Sequence, residues 1–393
     1  MALEEGNDSA LTLRINPARV LPLRLLQFFL VFLALGLGVS VFSMYTTKYY
    51  KVESMVPITQ SVMSESITTP CFEEPRSLED WIRPPSKLLH TMNDSELLWR
   101  ASFVPRIKRY PFRRIPKIAF MFLTKGLLPM APLWERFYKG HEGLYSIYIH
   151  SMPSYEADFP PSSVFYRRQI PSQLEPSEYL EIAEWGRMSM CDAERRLVAN
   201  ALLDISNEWF ILLSESCIPL SNFSIVYRYL LRSRYSFMGS FDEPGPYGRG
   251  RYNGNMAPEV NLTDWRKGSQ WFEINRVLAV KIIEDTTYYP KFKEFCRPSC
   301  YVDEHYFQTM FSIETPHLLA NRSLTYVDWS RGGAHPATFG KADIIKDFFN
   351  KIAESKTCLY NNQPTKLCFL FARKFAPGAL EPLLELASEV LGF

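Results

Sequence analysis

Three largely apolar stretches of strand length constrain the fold of this chain more than any other feature. They cover residues 118–124, 145–150 and 209–216. A continuous apolar stretch of this length is typical of a strand that is buried on both faces of a sheet. Between the second and third stretches, apolar residues from Met190 to Ile205 recur at helical spacing. This alternation predicts an α/β domain with a Rossmann-like, mostly parallel sheet that is flanked by helices.

Further patterns along the chain extend this prediction. They indicate helices from Asn93 or Asp94 to Ala101, at 276–285 and at 303–311, and strands at 324–328 and 367–372. Ligands of such sheets usually bind beyond the carboxyl ends of the strands. The fold class alone does not define a reaction, because a doubly wound sheet carries many chemistries.

The segment 25–45 is apolar and carries no charge. As a helix with a rise of about 1.5 Å per residue it reaches about 30 Å, the thickness of a bilayer core. A cleaved signal peptide is the alternative, but its apolar core is shorter and a small-residue cleavage site would follow it. We therefore expect a transmembrane signal-anchor at 25–45. Three arginines precede it and two lysines follow it closely, which favours a cytosolic tail at 1–24.

Four N-x-S/T sequons follow the apolar segment, at Asn93, Asn222, Asn261 and Asn321. Each such tripeptide is common by chance, but together with the charge bias they favour a glycosylated, lumenal body in a type II orientation. The segment from 46 to about 80 is polar and rich in Ser, Thr, Pro and Glu, which is typical of a stem. We expect a lumenal stem and linker at 46–116.

The charge and the cysteine content of the chain limit the classes of binding partner and the cellular compartment that we expect. The net charge of +2 provides no basic field for nucleic acid, and the basic segment 104–117 is expected to be a solvated linker. All seven cysteines follow the apolar segment, so some should pair in an oxidising lumen and at least one is left free or intermolecular. Cys296 and Cys300 could be zinc ligands. No second pair at matching spacing completes a tetrahedral site, so a disulfide or buried thiols are favoured.

Several sequence blocks occur together in a fixed order from Ile118 to about Leu384. They are EWGRMSMCDAERRLVANAL, NEWFILLSESCIPL, KGSQWFEINR, YVDEHYFQTMF, LTYVDW and FLFARKF. The ordered set resembles the core-2/I-branching β-1,6-N-acetylglucosaminyltransferase family, and its plant branch in particular. The resemblance implies a GT-A-type catalytic domain at 117–393, inversion at the anomeric carbon and a reaction that needs no metal or other cofactor.

The resemblance also implies how the departing nucleoside diphosphate is stabilised. No Asp-x-Asp occurs in the chain, although metal-dependent GT-A enzymes use that motif to bind Mn²⁺. Fixed cationic side chains can stabilise the developing charge instead. Lys374 matches the diphosphate-binding lysine of the family. Its arginine partner is harder to place, with Arg331 as the candidate and Lys341 as the reserve. Thr124 and His150 follow the first two strands, where the donor's uridine is expected.

Glu304 matches the catalytic glutamate of the family. A general base must lie within about 3 Å of the attacking hydroxyl, opposite the departing UDP. Asp303 is adjacent and points elsewhere on a helix, so it is expected to cap the helix instead. Trp329 matches a tryptophan that packs against the acceptor sugar, and Arg251, in a Gly- and Arg-rich loop, is a second candidate for acceptor binding.

These residues predict the transfer of a sugar from a UDP-sugar to a hydroxyl of a glycan or glycoprotein acceptor at the Golgi membrane. We expect the donor sugar to belong to the N-acetylglucosamine, xylose or glucuronic acid class. A catalytically inactive Golgi protein that binds glycans or serves as a scaffold is the alternative. A glycosidase ranks last, because it needs a second carboxylate about 5–10 Å from the first and no other acid has motif support.

Overall fold

The computed structural model describes residues 23–50, 77–78, 82–85, 87–105, 107, 109–172, 182–297, 300–354 and 356–393. The chain divides into two compact units, Met1–Glu74 and Pro75–Phe393. The described part of the first unit is one helix, α1, at Leu23–Tyr50. Its side chains are described only from residue 27 to residue 40, where all are exposed.

The expected transmembrane helix at 25–45 is not found. Within the described residues, no helix is both long enough and apolar enough to cross a membrane. The predicted cytosolic tail, apart from its last two residues, lies outside the described residues, as do Cys71 and positions 51–76 of the predicted stem.

The second unit contains the helices and strands that the sequence predicted, together with several shorter ones. Its helices are α2 Asp94–Ala101, α3 Ala131–Tyr138, α4 Met188–Leu202, α5 Phe223–Leu231, α6 Arg276–Glu284, α7 Tyr288–Phe295, α8 Tyr306–Glu314, α9 Lys346–Glu354 and α10 Leu380–Leu386. Its strands are β1 Lys117–Leu123, β2 Tyr145–His150, β3 Asn207–Ser214, β4 Ile218–Pro219, β5 Glu273–Asn275, β6 Thr325–Val327, β7 Cys358–Tyr360, β8 Gln363–Thr365 and β9 Phe371–Arg373.

A four-stranded sheet in the order β2-β1-β3-β5 forms the centre of this unit. Strands β1, β2 and β3 are parallel, with Phe120 opposite Ile147 on one side and Ile211 on the other. The edge strand β5 is antiparallel to β3. The prediction of an α/β domain with a mostly parallel sheet is confirmed, and each of the three apolar stretches forms one of the parallel strands.

The core lies on both faces of this sheet because successive residues of a strand point to opposite sides. In β1, Ala119 and Met121 belong to a buried apolar cluster that also contains much of α4. Phe120 and Phe122 belong to a second cluster that contains α3. The resulting arrangement has three layers, which explains why β1 is apolar at every position after Lys117.

A smaller sheet in the order β4-β9-β6 places the end of the chain beside the segment after β6. Strands β6 and β9 are parallel, and Val327 pairs with Arg373. Just beyond these strands the backbone N–H of Phe339 donates to the carbonyl oxygen of Lys374 at 2.8 Å. The loop 328–340 therefore runs alongside Lys374.

Helix α2 belongs to the compact unit, although it falls in the predicted stem and linker. Asn93 caps it, because its side chain accepts from the backbone N–H of Glu96. Leu97 and Ala101 are buried in the same cluster as α4. The side chain of Arg196 also donates to Asp94 at 2.7 Å. Helix α2 thus packs within the second unit, Pro75–Phe393.

The predicted helix at 303–311 is divided in two. A single 3-10 turn covers Val302–Glu304, and α8 begins only at Tyr306. Between them His305 has φ −131° and ψ −33°, which is outside helical geometry. The predicted strand at 367–372 is likewise shorter, since β9 begins at Phe371.

Four of the cysteines form two disulfides, Cys296–Cys300 and Cys358–Cys368. The preference for a disulfide over a zinc site at the first pair is confirmed. Cys191 and Cys217 are free and buried.

Candidate active site

Glu304 and Arg251 form an ion pair at the centre of the candidate site. The Nη1 of Arg251 donates to Oε2 of Glu304 at 2.9 Å, and only 13% and 19% of the two side chains are exposed. The backbone carbonyl of Glu304 accepts from the N–H of Gly268 at 2.9 Å, which fixes the turn. In the part of the chain that is described, Oε1 of Glu304 has no hydrogen-bond partner. One carboxylate oxygen is therefore held and the other is left for a ligand.

Aromatic rings surround this ion pair. The guanidinium carbon of Arg251 lies 4.2 Å from the ring centroid of Tyr301 and 5.7 Å from that of Tyr247. Tyr301 also packs against Trp185, with 4.7 Å between ring centroids. Trp185 in turn lies 5.4 Å from His335, on the loop after β6. These contacts connect the predicted base to the loop that carries Arg331 and Trp329.

Three aromatic side chains near Glu304 or on that loop remain open to solvent. Trp185 is 42% exposed, Tyr247 is 64% exposed and Trp329 is 52% exposed. Aromatic faces can pack against the apolar face of a pyranose ring. Trp329 was predicted as an acceptor-binding residue, whereas Trp185 and Tyr247 were not.

The segment after Trp185 fits closely against Tyr301. Gly186 has φ +80°, and a Cβ at this position would lie 2.8 Å from Cδ1 of Tyr301. Tyr301 itself has φ 55°, which is uncommon for a residue with a side chain. A glycine is thus required at position 186 both for its backbone conformation and for the approach of the Tyr301 ring.

Asp303 does not cap a helix, so that prediction was wrong. Its side chain is buried, and Oδ1 accepts from the backbone N–H of Gly186 at 3.0 Å. Burial, and next the negative charge of Glu304, raise the pKa of Asp303 to about 7. A second buried acid, Glu194, has its pKa raised well above the ordinary value by burial and next by Asp303. Asp303 and Glu304 therefore have different hydrogen-bond partners.

Lys374 follows β9 and is half-buried. Within the described residues, no side chain or backbone group forms a hydrogen bond or an ion pair with its ammonium group. Burial, and next the charge of Arg373, lower the pKa of Lys374, and Lys125 contributes in the same direction. Several cations thus gather at this edge of the molecule, opposed by Glu215.

Arg331 and Lys341, the two candidates for the cationic partner of Lys374, differ in whether an acidic side chain already pairs with them. Arg331 is exposed on the loop 328–340, and its charge acts on the nearby Asp328. A backbone hydrogen bond joins that loop to Lys374, but the side chains of Arg331 and Lys374 are not in contact. The reserve, Lys341, pairs with Glu381 at 2.5 Å on the surface. Arg331 is therefore the freer of the two.

Arg373 is a third cation near this position, which the sequence did not single out. Its guanidinium carbon lies 4.1 Å from the ring centroid of Trp271. Burial lowers its pKa, and the neighbouring groups Cys217 and Glu215 act in the opposite direction. Arg373 thus adds positive charge beside Lys374.

Thr124 and His150 are neighbours at the carboxyl edge of the central sheet, where the backbone N–H of Thr124 donates to the carbonyl of His150 at 3.0 Å. Both side chains are buried. The hydroxyl of Thr124 accepts from the N–H of Gly126 at 3.0 Å and so shapes the turn after β1. Burial, and next the charge of Arg196, lower the pKa of His150 to about 3, which leaves the ring neutral.

A cavity of about 410 Å³ opens beside this turn. It is lined by Leu127, Leu128, Pro129, Tyr155, Asp158, Phe159, Glu215 and Pro377. Leu127 follows β1 and Glu215 follows β3, so the cavity lies where ligands of parallel sheets bind. None of these lining residues was predicted from the sequence, because the segments that carry them are far apart in the chain.

Metal ligands are absent from the part of the chain that the structure covers: no group of three or more His, Cys, Asp or Glu side chains there could hold an ion. The four sequons are all described. Asn93, Asn261 and Asn321 are exposed, and Asn222 is partly buried, with its side chain accepting from the N–H of Ile225.

Comparison with known proteins identifies the family. A model of the family described as Core-2/I-Branching enzyme matches residues 118–353, which include Arg251, Glu304 and Arg331. Glycosyltransferase BC10 of Oryza sativa subsp. japonica is 34% identical over 316 residues, which are 69% of this chain and 76% of that protein. A glycosyltransferase needs a sugar donor and an acceptor glycan. The chain belongs to the core-2/I-branching enzyme family of glycosyltransferases.

Proposed function

We propose that this chain is an inverting glycosyltransferase with a GT-A-type fold, which moves a sugar from a UDP-sugar to a hydroxyl of a glycan or glycoprotein. The donor sugar is N-acetylglucosamine, xylose or glucuronic acid in class, and the reaction needs no metal ion. The observation that carries the proposal is Glu304, held at one oxygen by Arg251 while the other oxygen is free.

Glu304 acts as the general base in this reaction. Its free Oε1 accepts the proton of the acceptor hydroxyl as that hydroxyl attacks the anomeric carbon. The acceptor sugar packs against the exposed faces of Trp185, Tyr247 and Trp329. Positioning of this kind lowers the barrier because the two reacting groups are already oriented.

The departing UDP is stabilised by cations rather than by a metal. Lys374 has no partner among the described side chains, so its charge is available to the diphosphate. Arg331, on the adjacent loop, supplies the second cation and can bind phosphate oxygens bidentately. The uridine enters the cavity beside Thr124, and the neutral ring of His150 supports that edge from within.

The protein acts at the Golgi membrane as a type II protein with its second unit in the lumen. The two disulfides of that unit support an oxidising compartment. The three exposed sequons support exposure to the glycosylation machinery.

Calorimetric titration of UDP into the full-length, detergent-purified protein tests the donor site, with EDTA present throughout. We expect binding in EDTA, and an affinity about 10–100-fold lower in Lys374→Ala, because a charge-assisted hydrogen bond is lost. Lys346→Ala is the matched control, since this lysine pairs with Glu389 on the surface. Failure of the folded protein to bind UDP, or binding only after Mn²⁺ is added, would refute the proposal.

A glycan-binding protein without catalysis is the second candidate. The observation that favours it is the lack of contact between Arg331 and Lys374, since a complete diphosphate site needs both charges. Release of UDP from the three donor sugars, with glycans as acceptors, separates the two functions. Glycan binding without any UDP release would favour the second.

A further inference from the structure

The loop 242–256 contains two arginines whose surroundings differ. Arg249 pairs with Asp242 at 2.6 Å, and about two fifths of each side chain is exposed. Arg251 pairs with Glu304 and is largely buried. Because a solvated ion pair contributes little and a desolvated one is strongly coupled, these two neighbouring arginines should have different roles.

Arg251 is held from more than one side. The ring of Tyr301 lies against one face of its guanidinium at 4.2 Å, and Tyr247 lies farther away at 5.7 Å. The ring of Tyr301 is itself fixed by Trp185 and by its close approach to Gly186. An arginine stacked and paired in this way has little freedom to turn toward an acceptor sugar.

We infer that Arg251 is a positioning residue for the general base: it holds Oε2 of Glu304 so that Oε1 faces the acceptor. This inference rests on the proposed function and assigns Arg251 a role other than direct acceptor binding.

The atoms balance in the transfer step. The acceptor O–H bond breaks as its proton moves to Oε1 of Glu304, and the acceptor oxygen forms a bond to the anomeric carbon. The bond between that carbon and the diphosphate oxygen breaks, and its electron pair leaves with UDP. Arg251 remains bound to Oε2 throughout and exchanges no proton, because its guanidinium stays charged.

Other charged groups around Glu304 do not replace Arg251. Asp303 is the adjacent acid, and burial, and next the charge of Glu304, raise its pKa to about 7. Burial, offset in part by a hydrogen bond to the Arg266 carbonyl, lowers the pKa of His305 to about 3, so this ring is neutral. Lys267 pairs with Glu243 at 2.9 Å. Arg251 is thus the cation in direct contact with Glu304 among the described residues.

The test compares Arg251→Gln, Arg251→Lys and Arg249→Gln with the wild type, all as full-length protein. UDP release is followed from UDP-N-acetylglucosamine, UDP-xylose and UDP-glucuronic acid, with p-nitrophenyl β-galactoside, β-glucoside and β-xyloside as acceptors. The pair that the wild type turns over is then used to measure kcat and the acceptor KM. UDP affinity is measured for every variant to verify that each is folded.

For Arg251→Gln we expect kcat to fall by about 10–100-fold while the acceptor KM changes little, because an interaction with the base rather than with the substrate is lost. Arg251→Lys should restore only part of kcat, because an ammonium group can pair with Oε2 but cannot stack on the Tyr301 ring as the planar guanidinium does. Arg249→Gln should match the wild type.

A rise in the acceptor KM of Arg251→Gln, with kcat unchanged, would overturn the inference and leave the proposed function in place. Absence of UDP release by the wild type with every donor and acceptor, together with intact UDP binding, would instead overturn the proposed catalytic function and the inference with it.

Discussion

Two charged regions of this molecule, around Glu304 and around Lys374, differ in whether the protein itself supplies an ion-pair partner for the central side chain. Around Glu304 the protein provides the partner, because Arg251 already binds one carboxylate oxygen at 2.9 Å. Around Lys374 the described residues provide no partner for the ammonium group, and its pKa is lowered by burial and next by Arg373. The base is thus organised before any ligand arrives, whereas the ammonium group of Lys374 has no ion-pair partner among the described residues.

This difference indicates what each region contributes. A general base must be oriented at the moment of attack, so its geometry is best fixed in advance. A site for a diphosphate gains its favourable electrostatic energy only when the anion binds, and nearby cations without partners repel one another until then. Substitutions around Glu304 should therefore act on kcat, and substitutions around Lys374 should act on nucleotide affinity.

The substitution Glu304→Gln should give the largest effect and should separate the two regions. Because the amide cannot accept the acceptor's proton, we expect kcat to fall by about 100–10,000-fold. UDP affinity should stay within about twofold of the wild type, since the base does not contact the diphosphate. In Lys374→Ala, by contrast, the affinity for UDP should fall. Equal losses of UDP affinity in both variants would mean that the two regions are not separate.

Much of the central sheet could be predicted because each strand is defined by its own local sequence. Strand β2 has the bounds that the apolar pattern gave, and β1 and β3 lie within a few residues of theirs. The helix at 303–311 could not be predicted correctly, because what interrupts it is a distant contact. Asp303 binds the N–H of Gly186, which is 117 positions away in the chain.

The candidate site was predicted only in part for the same reason. Glu304 and Arg251 were each selected, one by resemblance and the other as part of a Gly- and Arg-rich loop. Their pairing links positions 53 apart in the chain, and no local pattern reveals such a contact. Tyr301 was missed because its side chain carries no catalytic group, and its left-handed backbone is visible only in the structure. Trp185 had a signal, since it lies in one of the blocks that carry the family resemblance.

The substitution Gly186→Ala should disturb the base region through Tyr301. The new Cβ would lie 2.8 Å from the ring, so we expect a loss of about 2–4 kcal/mol in the free energy of unfolding, together with a lower kcat. Gly140→Ala is the matched control, because Gly140 also has φ +80° but no atom lies within 4 Å of its Cβ position.

Urea unfolding followed by tryptophan fluorescence reports on the second unit, since all eight tryptophans follow residue 75. The control should lose only the backbone contribution of about 1–2 kcal/mol, and it should keep the wild-type kcat. If the two alanine variants behaved alike, the packing of Tyr301 against Gly186 would not support the base.

The substitution Asp303→Asn should change how stability depends on pH, and this effect should be the smallest. The pKa of Asp303 is raised from its ordinary value of 3.8 to about 7 by burial and next by the charge of Glu304. The native protein therefore binds this proton more tightly than the unfolded chain does. The resulting stabilisation is fully present below about pH 4 and is lost as the pH rises through about 7.

Between about pH 4 and pH 8, the free energy of unfolding of the wild type should fall relative to that of Asp303→Asn, which has no proton to lose there. Each pKa unit corresponds to about 1.4 kcal/mol, and because Glu194 interacts with Asp303 we expect a difference of only about 1–2 kcal/mol. Asp347→Asn, at an exposed position in the first turn of α9, is the control and should follow the wild type. Parallel pH curves for the wild type and Asp303→Asn would show that Asp303 is already ionised at low pH. Its negative charge would then repel that of Glu304, and Arg251 alone would have to offset this repulsion.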